Sequence, residues 1–164
     1  MSSIYRADTI GHLIKVGRDN APAIAAPDRA PLTHQALRAL VERTVNDLNA
    51  LGIGRNDRVA IVLPNGPEMA TAFIAIACAA TTAPLNPAYR TEEFTFYLSD
   101  LNAKALVILE GMESPALAVA AEHRIPVIRL VPNSDGGAGD FRLRPEAAPA
   151  GATAQGGLAG KDDI

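Results

Sequence analysis

A single cysteine, Cys78, occurs in 164 residues, so no disulfide can close within the chain. That fits a reducing compartment, and its place inside an apolar run reads as a small buried hydrophobe. Basic charge is not in excess: 15 Lys and Arg stand against 18 Asp and Glu, a formal net charge of −3. Nothing in that balance points to nucleic acid or an anionic membrane as partner. No apolar run reaches the ~20 residues of a membrane span; the longest, Met69 to Ala83, is broken by threonines. The opening MSSIYRADTIGHLIK has neither a sustained apolar core nor a small-residue cleavage site, so it does not read as a secretory signal. The expectation is a soluble, cytoplasmic chain. With 48% hydrophobic and 20% charged residues, its length suits one domain and one core.

What is present is organised around Asp57 to Arg90. Val59 to Leu63 has the length of a buried strand. Pro64-Asn65-Gly66 is a turn signal, Pro67 suits a first helical position, and Glu68 suits the positive helix end. Met69 to Ala80 is apolar on nearly all sides, which predicts a helix sandwiched within the protein. Phe73 and Ile76 are expected in its core, with Ile61, Leu63, Leu106 and Ile108. Thr81 to Leu85 can return as a parallel strand, ended by Asn86-Pro87.

Upstream, Thr9 can cap a first helix, and His12 can pair with Asp8. The stretches 23–26 and 30–33 flank a turn and predict a small hairpin. Thr33 caps a long helix carrying Leu37, Leu40, Val41, Leu48 and Leu51, which Gly52 stops. Downstream, Thr91 can cap a helix in which Phe94, Leu98 and Leu101 share a face. Ala105 to Leu109 is a strand, Ser114-Pro115 opens a short helix, and Pro126 to Val131 is a last strand. This alternation predicts an α/β fold, a parallel sheet with helices on its faces and right-handed crossovers. Residues 1–131 are expected to form that unit. Residues 132–164, rich in Gly, Ala and Pro, are expected to form a flexible linker.

The segments DRVAIVLPN and APLNPAYRTEEFTFYLSDLNAKALVI carry a resemblance. The chain resembles, from about Leu13 to Val131, the N-terminal part of the AMP-forming acyl-CoA synthetases, members of the adenylate-forming superfamily. Its wording is most similar to the oxalate–CoA ligase branch. The resemblance implies a parent reaction in which a carboxylate and ATP, with magnesium, give an acyl-adenylate and pyrophosphate. CoA then displaces AMP to form the thioester. It also implies that the phosphate loop, the nucleotide contacts and the lid lysine lie beyond this sequence. The chain would then be an N-terminal fragment, inactive alone, whose partner is the remainder of the synthetase. A stand-alone α/β binding module reusing the scaffold is the alternative.

Candidate chemistry is confined to the loop Leu85 to Arg90, at the C-terminal end of a predicted parallel strand, where open α/β sheets collect ligands. Asn86 can orient backbone through its side chain. Arg90 can meet an anionic group such as a CoA phosphate. The plain structural readings are a turn held by Asn86 and an ion pair for Arg90. No catalytic residue and no metal ligand is expected. Glu92 and Glu93, about 100° apart in a first helical turn, suit the helix dipole better than acid–base chemistry. Gly52-Ile53-Gly54 precedes a strand and lacks a third glycine, so it is not a dinucleotide fingerprint. Gly156 to Lys161 lacks the first glycine and the Ser/Thr of a phosphate loop. His34 and His123 are isolated and expected to be solvated.

Overall fold

The computed structural model describes residues 7–147, 154 and 156–163. Its centre is a five-stranded sheet in the order β4-β3-β5-β6-β7. The strands are β3 (Arg58–Val62), β4 (Thr81–Pro84), β5 (Ala105–Leu109), β6 (Val127–Pro132) and β7 (Phe141–Pro145). The first four are parallel, in register Arg58 with Thr81, Val59 with Ala105 and Leu106 with Val127. β7 returns antiparallel to β6, pairing Ile128 with Pro145. Apart stands a two-stranded ribbon of β1 (Pro22–Ile24) and β2 (Leu32–Thr33), the expected hairpin.

The central strands β3 and β5 are short continuous apolar runs because both faces of the sheet are covered there. On one face lie α2 (His34–Ala50) and α3 (Pro67–Ala77). They enclose a core that includes Leu40, Leu48, Ile61, Ala75, Ile76 and Phe141. On the other lie α4 (Thr91–Asp100) and α5 (Pro115–Glu122), with Phe94, Leu98, Leu106, Ile108 and Val119 between them and the sheet. A short α1 (Ile10–Leu13) precedes the ribbon. Caps follow the sequence: the Thr9, Thr33 and Ser114 side chains accept from the N–H groups of His12, Ala36 and Ala116. Gly52 takes φ +78° just past α2, a backbone that favours glycine. Asp8 and His12 pair at 2.9 Å.

Four expectations are corrected. Helix α3 is not sandwiched: Ala72, Ala75 and Ile76 are buried, but Phe73 is 40% exposed. Its inner stripe meets the sheet and α2, while Ala70 and Phe73 lie on the exposed outer stripe. The cap of α4 is Arg90 rather than Thr91; its backbone N–H donates to Glu93 Oε2 at 2.9 Å, half of a capping box. His34 is not fully solvated, because its Nδ1 is buried without a hydrogen-bond partner.

The expected linker from 132 also fails over residues 133–145. Phe141 and Leu143 alternate with Arg142 and Arg144, the period of a half-buried strand, and Phe141 is 0% exposed. The turn before β7 is tied by Asn133 and Asp140, whose backbones bond at 2.9 Å and whose side chains bond at 2.7 Å. Arg43 of α2 reaches over to Asp140 at 2.8 Å and to the Phe141 carbonyl at 2.9 Å. The remaining linker expectation falls partly on residues 148–153, 155 and 164, outside the described residues.

Candidate functional site at the strand ends

The loop from Leu85 to Arg90 leaves the C-terminal end of β4, beside the turn that follows β3. It is pinned at its root by the Leu85 N–H, which donates to the Ile61 carbonyl at 2.9 Å. Asn86 then builds the turn. Its Oδ1 accepts from the Ala88 N–H at 3.0 Å, and its carbonyl accepts from the Tyr89 N–H at 3.1 Å. This is an Asx turn, which lets the short side chain replace a backbone partner. So Asn86 plays the structural part that the sequence allowed, while Arg90 does not take the ion pair. The Arg90 side chain is exposed and enters no salt bridge among the described residues.

The structure adds an aromatic cluster that sequence reasoning missed. Tyr89 stacks on Tyr97 of α4 with centroids 5.2 Å apart and planes 12° apart, and meets Phe94 edge-on at 5.8 Å. Hydrogen bonding with Tyr97, then partial burial and the Glu93 charge, hold the Tyr89 phenol above its ordinary value. Phe96, 63% exposed, lies edge-on to Tyr97. The spacing of Tyr97, one helical turn after Phe94, was the available signal; nothing local tied Tyr89 to it. The arrangement offers a planar aromatic surface, with the exposed Arg90 next in sequence to Tyr89.

The larger cleft lies at the opposite end of the sheet. It holds about 880 Å³ where β5 and β6 begin and α2, α4 and α5 end, and Lys104, His123 and Arg124 line it. Lys104 and Arg124 stand near helix C-termini, whose negative dipole ends suit a positive charge. His123 is exposed, as expected. Among the described residues no three His, Cys, Asp or Glu side chains are grouped to hold a metal ion.

Two lysines stand away from the candidate loop. Lys104 lies at the far end of the sheet, and Lys161 pairs with Asp162 near the C-terminus. Gly66, the N-cap of α3, offers no side-chain cap, and Glu68 in the first turn pairs with Arg29. No helix of the described residues is long and apolar enough to cross a membrane.

Against known proteins, residues 15–154 match the family described as AMP-binding enzyme. An oxalate–CoA ligase of Arabidopsis thaliana is 37% identical over 124 residues, 73% of this chain and 24% of that protein. The "Probable CoA ligase CCL9" of Humulus lupulus is 39% identical over 116 residues, 70% of this chain and 22% of that protein. Among solved structures, apo MatB from Rhodopseudomonas palustris superposes with TM-score 0.66 at 23% identity, over 86% of this chain and 30% of that one. At that identity the likeness concerns the fold, a mostly parallel sheet with helices on both faces. The chain spans less than a quarter of the length of these two curated relatives.

Proposed function

The chain belongs to the AMP-binding enzyme family, and from that premise we propose that it supplies the first α/β layer of an acyl-CoA synthetase. The parent reaction would join a carboxylate to CoA through an acyl-adenylate, with ATP consumed and AMP and pyrophosphate released. The physical logic is leaving-group activation: AMP departs where oxide could not. Magnesium and CoA enter this reading through the family, as does a cytoplasmic location.

What carries the reading is the match over 15–154 joined to the missing phosphate cradle. Adenylyl transfer rests on positioned charge around phosphates, from backbone N–H groups, a lysine and a metal. The described residues bring none of these together at the strand ends. The chain therefore works only with the remainder of a synthetase, on the same polypeptide or a separate one. In that assembly Asn86 shapes the loop and Arg90 meets an anionic group of CoA. The edge of the α/β layer is proposed after β7 rather than at 131–132, which would cut through β6.

The coding DNA that follows codon 164 tests this proposal. An in-frame Ser/Thr/Gly-rich loop ending in Pro-Lys within a few tens of codons supports it. An unrelated gene there, with no partner polypeptide bearing that loop, favours a stand-alone binding module.

A further inference from the structure

Residues 156–163 pack back onto the domain through polar contacts. The Ala159 N–H donates to the Cys78 carbonyl at 2.7 Å. Asp163 accepts from the Gly160 N–H at 2.7 Å and Asn56 Nδ2 at 3.0 Å, and forms an ion pair with Arg55 at 3.7 Å. The other charges at this corner are Lys161, which pairs with Asp162, and Asp8, which pairs with His12. Apolar anchoring is slight. Leu158 is 46% exposed, and a Cβ placed on Gly11 would sit 3.6 Å from its Cδ1.

Beneath the segment is a small cleft of about 350 Å³, lined by Phe73, Cys78, Thr82, Ala159 and Gly160 among others. It sits where α3 hands over to β4, the strand whose outer edge pairs with no other strand among the described residues. A segment held by a few surface polar contacts opens at far lower free energy than the core it covers.

We propose that residues 156–163 form a latched strap over this α3–β4 corner, with the Asp163 carboxylate as the latch. Removing that one carboxylate releases the strap without unfolding the sheet. Release uncovers Phe73 and the start of the open sheet edge, the surface that the strap otherwise keeps from pairing with another extended segment. The strap also guards Cys78, which is 2% exposed, with its thiol pushed up by burial to about 11. As the single thiol, Cys78 reports the opening directly.

The test uses the full chain and an aromatic disulfide reagent, with the Cys78 labelling rate followed in buffer and in low urea and the global urea midpoint measured alongside. Asp163→Ala is expected to raise the native labelling rate by about tenfold, the loss of one charged hydrogen bond, with the urea midpoint little changed. Asp163→Asn, which keeps the shape and removes the charge, is expected to move the rate the same way. An unchanged rate in both variants overturns the latch. So does a rise in rate fully accounted for by lost global stability, because labelling would then require unfolding of the domain.

Discussion

The Thr71 hydroxyl, 0% exposed, donates to the Gly139 carbonyl at 2.6 Å, joining the second turn of α3 to the loop before β7. The two residues are 68 positions apart, so this bond fixes the one antiparallel strand over the start of a helix in the parallel layer. The approach is close. Gly139 has φ +83°, and a Cβ there would stand 2.6 Å from the Pro67 carbonyl oxygen. Thr71→Val keeps the shape and leaves that carbonyl buried without its partner. A loss of about 1–3 kcal/mol is expected from urea unfolding. No loss would mean that the loop is held by its other contacts, among them Arg43 to Asp140, Arg29 to the Gly137 carbonyl and the Ala138 N–H to the Ala30 carbonyl.

Phe94 and Phe73 separate the core from the open face. Phe94 is 0% exposed between α4 and the sheet, so Phe94→Ala is expected to cost about 3–5 kcal/mol. Phe73 is 40% exposed, so Phe73→Ala is expected to cost well under half of that. Equal costs in denaturant titrations would show that Phe73 is packed in solution.

Glu93 and Arg90 are expected to behave oppositely in stability measurements. Glu93→Ala removes the acceptor of the Arg90 N–H at 2.9 Å and is expected to cost about 1 kcal/mol. Arg90→Ala leaves that backbone bond intact and is expected to change stability by no more than about 0.5 kcal/mol. Comparable losses in both would mean that the Arg90 side chain also holds the turn.

Acid should loosen the strap corner. Asp8 is held below its ordinary 3.8 chiefly by the His12 hydrogen bond, and Asp163 below 3.8 chiefly by the Gly160 N–H, then Asn56 and Arg55. A depressed carboxylate stabilises the fold fully above its unfolded value and loses that contribution as pH falls through the folded one. Asp47, raised by burial against the pull of Arg43, acts the other way, so its contribution declines as pH rises past 3.8. Thermal midpoints taken downward from about pH 5 should fall less steeply in Asp163→Asn than in the parent chain. Identical slopes would remove Asp163 from the acid response.

The sequence made the parallel layer readable because each of its signals was local. The apolar runs at Val59–Leu63 and Ala105–Leu109, the Pro67 start of α3 and the Thr33 and Ser114 caps each sit within a few residues of what they specify. β7 was harder to read. Its alternation of Phe141, Arg142, Leu143 and Arg144 is short and lies in a Gly/Ala/Pro-rich stretch, and its support comes from Arg43 and Thr71 far upstream. The outward stripe of α3 was misjudged because an Ala-rich helix looks equally apolar on every side. At the candidate loop, the turn-forming role of Asn86 could be read from Asn-Pro. The Tyr89–Tyr97 stack could not, since it depends on how α4 leans on the loop.

The most direct measurement is pyrophosphate release by the purified 164-residue chain, given ATP, magnesium, CoA and a panel of oxalate, acetate and a medium-chain fatty acid. The account predicts no release above buffer with any acid, because no described group cradles the phosphates. Turnover that Arg90→Ala abolishes would contradict it and would make the Asn86–Arg90 loop an active site in its own right.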